Sequence, residues 1–253
     1  MRLGIIGTGM IGASIGLRSR AEGARVLGYD ASDEALETAM ERGAVDERTS
    51  RDEIYARCEH IVIAIPPRAT CAELRSLARR AADWQLLLDV ASVKRSIMKA
   101  SADVAKFAGT HPLAGNEGSG PEAASAELFD GRTWALVPSG DTSLDERARG
   151  FVSGLGATPI AVDAELHDAA VALTSHLPQM IAWLLSGKIR EGGPLYEALC
   201  GPAGREILRL GRSRPDLWRE ILAENADNVG AAGTAIAGEL IAACNGVDAG
   251  NGP

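Results

Sequence analysis

Basic charge is in short supply. Lysines and arginines number 26 against 34 aspartates and glutamates, a formal net charge of -8 at pH 7. Neither a nucleic-acid backbone nor an anionic membrane surface has a basic face to meet here, so neither is expected as a partner. An anionic ligand would need arginines gathered locally. Cysteine is scarce as well: the four thiols, at 58, 71, 200 and 244, have no metal-ligand spacing and no disulfide-scaffold density. That suits a reduced, cytoplasmic setting. Uninterrupted apolar runs of membrane-spanning length are missing too. "AAVALTSHLPQMIAWLLS" is broken by His176, Pro178 and Gln179, and "AAGTAIAGELIAAC" by Glu239. Both therefore read as packed helices. No secretory leader is expected ahead of a first strand that begins at Arg2. Internal repeats and low-complexity blocks are lacking.

What is present suits a folded, water-soluble protein. Hydrophobic residues make up 46% and charged residues 24% of 253 positions, enough for one large domain or two modest ones. Short apolar runs, "RLGII", "ARVLGY", "HIVIAI", "QLLLDV", "KFAGT" and "TWALVP", read as strands. Helix-like stretches such as "SDEALETAMERG" and "CAELRSLARRAAD" separate those of the first five. Strand and helix alternating at this spacing predict an α/β fold with a doubly wound, mostly parallel sheet. From about Asp163, a plausible N-cap, the chain reads as helices alone. The spacing therefore predicts a first domain over 1–160, an all-α domain over 161–245, and an unpacked tail over 246–253.

The run "GIIGTGMIGASIGL" sets Gly7, Gly9 and Gly12, with Met10 and Ile11 among them, directly after strand one and at the head of a helix. Glycine serves there for a tight turn, for close approach of backbone to a pyrophosphate, and for packing helix on strand. The second strand ends in Asp30, placed to bond both ribose hydroxyls and to repel a 2′-phosphate, which favours NAD over NADP. A glycine-rich turn in another α/β protein, or an aspartate that only caps the next helix, are the plainer readings. Ligands of open parallel sheets lie beyond the strands' carboxyl ends. Pro66 of "IAIPP" sits at such an end, although it could simply stop its strand.

"DVASVK" and "GTHPLAGNEGSG" end the next two strands and put Ser92 and His111 at the same edge, with Lys94 opening a helix. A serine after a strand is more often a helix cap, whereas a histidine beside a dinucleotide site is a good candidate base. The stretch 111–120, with Gly115, Gly118 and Gly120, reads as a loop, and its Glu117 could be only a solvated charge. In the helical half His176 lies in an apolar segment, where its ring must be satisfied or face a cavity. Pro178 should kink that helix. His60 and His167 look less informative. Arg205, Arg209 and Arg212 supply local basic charge, 205 and 209 on one helical face, unless they form a merely solvated surface.

"GTGMIGASIGL", "GYD", "DVASVK", "HPLAGNEGSGPEAA", "SHLP" and "REILRLGRSRPDLWREILAEN" occur in the order and spacing of the prephenate and arogenate dehydrogenases, which residues 1 to 240 resemble. The resemblance implies a Rossmann-type NAD-binding domain followed by an all-α dimerisation domain, hence a homodimer, and oxidative decarboxylation of a small dicarboxylate. It also implies that His111 accepts the C4 hydroxyl proton and that Ser92 orients His111 and touches substrate and nicotinamide. His176 and Arg209 would bind substrate, Glu117 would gate the pocket, and Trp218 would lie near the dimer contact. Ala91 stands where the family pattern usually has glycine, and Gln179 where many prephenate-preferring members have histidine. No regulatory or fused mutase domain is expected. Two other readings stay open. One is a β-hydroxyacid dehydrogenase, for which Lys188 is the sole candidate lysine in the helical half. The other is a non-catalytic NAD sensor, in which loss of His111 would be expected.

Overall fold

The computed structural model of the chain describes residues 1–115, 118–213 and 215–248. They divide into two compact units, Met1–His167 and the remainder from Asp168.

The first unit opens with β1 (Arg2–Ile6), α1 (Met10–Ala21), β2 (Arg25–Tyr29), α2 (Asp33–Glu41) and β3 (Glu47–Arg48). It continues with α3 (Arg51–Arg57), β4 (His60–Ile63), α4 (Pro67–Leu77), β5 (Leu86–Asp89), α5 (Arg95–Ala100) and β6 (Phe107–Ala108). The six strands form one parallel sheet in the order β3-β2-β1-β4-β5-β6. Its central strands are near-continuous apolar runs because helices cover both faces. Leu3, Ile5, Val62, Leu86 and Leu88 pack to one side, with Ala13 and Ile15 of α1 and Leu36 of α2. Ile6, Leu27, Ile61, Ile63 and Leu87 pack to the other, with Ile54 of α3, Leu74 of α4 and Ile97 of α5. Successive strand residues serve opposite faces, so one apolar run feeds two cores. Ser32 caps α2 through the backbone N–H of Ala35, and Ser50 and Glu53 close a capping box on α3.

A second sheet was not anticipated. β7 (Thr110–Pro112) pairs antiparallel with β8 (Thr133–Leu136), and β9 (Thr158–Ala161) pairs parallel with β8 across α6 (Thr142–Gly154). The loop expected over 111–120 is thus corrected at its start, since His111 and Pro112 belong to a strand, His111 opposite Ala135. Likewise "TWALVP" supplies a strand to this sheet and not to the parallel one. Of the loop glycines, Gly120 takes a left-handed φ of 73°, which glycine alone adopts without strain.

Helix α7 (Ala164–Val171) begins at the end of the first unit, with the Asp163 carboxylate accepting from the N–H of Leu166 at 2.9 Å. A π turn over Ala172–His176 then leads into α8 (Leu177–Glu191). The turn before Pro178 is widened to a π turn, which accommodates a ring that has no N–H and crowds the carbonyl four residues back. After α8 come α9 (Pro194–Ala198), α10 (Pro202–Leu210), α11 (Pro215–Glu224) and α12 (Ala226–Asp248). α12 runs through 246–248, where an unpacked tail was expected; residues 249–253 lie outside the described residues. Among the described residues no helix is long and apolar enough to cross a membrane.

Candidate active site

Strand register collects the candidate cofactor residues. Ile6 lies beside Tyr29 and Ile63, and Ile63 beside Asp89, so β1, β2, β4 and β5 finish in one row. Strand order reverses between β1 and β4, and this row is the edge at which such sheets take ligands. Each glycine of the first turn has its own constraint. Gly7 has φ 96°, and a Cβ there would strike the Ala64 carbonyl. A Cβ on Gly12 would strike the Gly7 carbonyl, so α1 sits close on β1. Gly9, the N-cap of α1, would meet nothing within 4 Å. Met10, Ile11 and Gly12 form the first turn of α1, and the N–H groups of such a turn favour an anionic group.

Asp30 follows β2. Its carboxylate accepts from the Thr8 N–H at 2.6 Å, the Thr8 hydroxyl at 3.1 Å and the Ser32 N–H at 2.9 Å. It therefore braces the glycine turn, while Ser32 does the capping of α2. Pro66 is the N-cap of α4, and Pro67 holds the first helical turn. The segment after β7 returns to this region: a Cβ on Gly115 would lie 3.8 Å from Met10 Cε.

At the end of β5 a buried polar network joins the two sheets. Asp89 and Lys94 are ion-paired with both side chains wholly buried, and the Lys94 ammonium also donates to the Thr110 carbonyl. Asp89 accepts from the N–H groups of Ala91 at 2.9 Å and Thr110 at 3.0 Å. The Thr110 hydroxyl donates to the Asp89 carbonyl and accepts from Trp134 Nε1 at 2.9 Å. The turn bearing Ser92 and the strand bearing His111 are thereby fixed to one anchor. Ser92 is half-buried and does not cap α5, whose N-cap is Lys94. His111 is buried, and its Nδ1 lies 2.9 Å from Nε2 of His167, in the first turn of α7. His167, read as less informative, is thus a direct partner of the candidate base. Its sequence signal was one histidine beside Asp168; the pairing spans 56 positions and has no local mark.

In the second unit His176 is buried at the end of the π turn, its ring edge-on to Trp218 with centroids 6.0 Å apart. The Asn225 side-chain amide donates to the Asp168 carbonyl at 2.7 Å and lies 3.2 Å from His176 Nδ1. Donation there leaves the neutral ring's proton on Nε2. Asn225, wholly buried between α11 and α12, was missed; a polar residue ending an amphipathic helix was its available signal. Arg209 has a partner on its own helix. Its fork closes on Glu206 of the same helix, Nε to Oε2 at 2.8 Å, which holds the Glu206 carboxyl below the usual range. Gln179 donates to the Leu210 carbonyl at 2.9 Å and accepts from Ser213. Lys188 is exposed and paired with Glu191, a poor setting for a catalytic amine. Glu117 lies outside the described residues.

The parallel sheet, the glycine cradle and the helical second unit define a Rossmann-type dinucleotide-binding protein with an all-α second domain. Residues 14–160 match the family model for the prephenate dehydrogenase nucleotide-binding domain, and residues 163–243 that for the prephenate dehydrogenase dimerization domain. The chain belongs to the prephenate dehydrogenase family. It is 38% identical over 229 residues to a probable prephenate dehydrogenase, NovF, of Streptomyces niveus, covering 88% of this chain and 62% of that one. It is 30% identical over 240 residues to the prephenate dehydrogenase of Bacillus subtilis strain 168, covering 89% and 64%. The chain thus spans just under two thirds of the length of these two curated relatives. The crystal structure of prephenate dehydrogenase from A. aeolicus, in complex with hydroxyphenyl propionate and NAD+, matches at a TM-score of 0.88 and 25% identity. That match covers 98% of this chain and 90% of the other.

Proposed function

We propose that the chain is an NAD-dependent prephenate dehydrogenase that oxidatively decarboxylates prephenate to 4-hydroxyphenylpyruvate in tyrosine biosynthesis, in the cytoplasm. Arogenate or an amino-substituted analogue is the close alternative substrate. The observation that carries the reading is a buried imidazole, His111, held by His167 on a strand anchored through Asp89 and Lys94 to the edge of a dinucleotide-type sheet. We assign 1–160 to NAD binding and 161–245 to substrate binding and dimerisation.

The residues suit the cofactor: the absence of neighbours around Gly9 supports a pyrophosphate site there, and the position of Asp30 just after β2 supports a ribose contact. NAD, when bound, supplies the hydride acceptor. His111 takes the proton of the C4 hydroxyl at Nε2 as C4 is oxidised; loss of the ring carboxylate as carbon dioxide leaves an aromatic product. Ser92 orients His111 and touches substrate and nicotinamide. His176 and Arg209 grip the substrate, Arg209 at a carboxylate, and Glu117 gates the pocket. Orientation of one ring against one acceptor is the main task of the protein. In the second unit Leu184, Leu195, Leu199, Leu240 and Ile241 are exposed, apolar surface of the kind a homodimer would cover, with Trp218 near the contact.

The test supplies purified protein with prephenate or arogenate, each with NAD or NADP, and follows coenzyme reduction. Prephenate with NAD should react fastest; no reaction in any of the four pairings would sink the proposal. His111→Asn should lower turnover by roughly 10²- to 10⁴-fold, the usual contribution of a general base, while substrate still binds.

A further inference from the structure

The geometry points to His167 as a positioning residue that sets the tautomer of His111 and stabilises the imidazolium formed during turnover; this rests on the reading of His111 as the base. His111 Nδ1 and His167 Nε2 are 2.9 Å apart, with both rings buried. At that separation one nitrogen donates and the other accepts. The two possible directions are not equivalent. If His167 donates, the neutral His111 ring carries its own proton on Nε2 and cannot take another there. If His111 donates through Nδ1, its Nε2 holds the lone pair that a base requires. Only the second arrangement lets the ring accept the substrate's proton, and it obliges His167 to be neutral, with its proton on Nδ1.

When His111 becomes an imidazolium, its Nδ1–H faces the His167 lone pair and the contact becomes a charge-assisted hydrogen bond. His167 thus performs through a neutral ring what a carboxylate does behind the histidine of a serine-protease triad. The contact is rigidly made. His167 sits in the first turn of α7, where its N–H donates to the Asp163 carbonyl at 2.9 Å. His111 is fixed by strand pairing with Ala135 and by the anchoring of Thr110 next to it.

The test compares His167→Leu, which keeps bulk but removes the acceptor, with His167→Gln, whose side-chain oxygen reaches the place of the lost Nε2 lone pair. Steady-state and single-turnover kinetics with prephenate and NAD are measured beside melting temperature and NAD affinity. Turnover of His167→Leu should fall roughly 10- to 150-fold, the rate equivalent of a hydrogen bond to a charged group. Its KM values should stay within about twofold, and His167→Gln should recover most of the loss. Unchanged turnover in His167→Leu, or a loss shared equally by both variants with rising KM, would overturn the assignment. Nitrogen NMR of the ¹⁵N-histidine wild-type protein, with His111→Asn identifying the His111 signals, gives a reading independent of variant folding. Neutral His111 should carry its proton on Nδ1, and a proton on Nε2 refutes the inference. If His111→Asn turns over normally, the base reading itself has failed; if His111→Asn is slow and His167→Leu is not, only His167 is reassigned.

Discussion

The Lys94 ammonium is paired with the Asp89 carboxylate, and neither side chain reaches water. Asp89 ends β5, Lys94 caps α5, and both also bind Thr110 of β7. The pair therefore joins the parallel sheet to the sheet carrying His111. Removing one member of such a pair strands the other charge in a dry site, at a cost of about 3–5 kcal/mol. Lys94→Met should lose stability by that amount in urea titration, and turnover should drop as Ser92 and His111 lose their common anchor. A loss below about 1 kcal/mol would mean that the pair is not the structural link described.

Gly9 and Gly12, three positions apart, should fail in different ways. Gly9 has φ -66°, open to alanine, and no atom within 4 Å of an added methyl. Gly9→Ala should keep the wild-type melting temperature yet lose NAD affinity by roughly tenfold or more, about 1.4 kcal/mol, since the methyl fills the cradle. In Gly12→Ala the methyl strikes the Gly7 carbonyl, and overpacking of this kind costs about 1–3 kcal/mol of stability. Thermal melts beside calorimetric NAD titrations separate the two; equal stability of both variants contradicts the division of roles.

Much of this was legible in the chain. Buried central strands are uniformly apolar, so β1, β2, β4 and β5 declared themselves, and the glycine turn and Asp30 follow from their position after β1 and β2. β3 has only two residues, and β9, "TPIA", is partly exposed and carries Pro159; neither has the apolar signature of a central strand. β7 was hidden because Thr-His-Pro has little strand propensity and is held by pairing with β8 and by Asp89. Long-range pairing itself has no local mark: His167 and Asn225 acquire meaning only once the fold brings them to His111 and His176.

His60 offers a pH-dependent prediction. It opens β4 with its ring edge-on to Phe151 at 5.7 Å, and its buried Nδ1 has no hydrogen-bond partner among the described residues. Burial disfavours the charged ring and moves its pKa below the ordinary value, against the pull of Glu59. The unfolded chain then binds a proton near pH 6.5 that the folded chain refuses. Stability is full above that pH and is lost as pH falls toward the folded value. His60→Leu should therefore lose less stability than wild type between about pH 7.5 and about pH 5 in paired urea titrations. Parallel losses in the two proteins would exonerate His60.

Arg209 and Glu206 make opposing demands on a carboxylate-binding role. The guanidinium already holds one carboxylate in a two-point contact on its own helix, half-exposed to solvent. An exposed pair three residues apart contributes little to stability, so neither variant should alter folding much. It does make Glu206 an intramolecular competitor for any substrate carboxylate that Arg209 meets. Arg209→Ala should raise KM by roughly 5- to 150-fold, about 1–3 kcal/mol for a hydrogen-bonded charge, with turnover little changed, the pattern of lost uniform binding. Glu206→Gln should move KM the other way, downward, because the fork no longer has a charged rival. If Glu206→Gln instead raises KM as Arg209→Ala does, Glu206 is aiming the guanidinium and not competing for it.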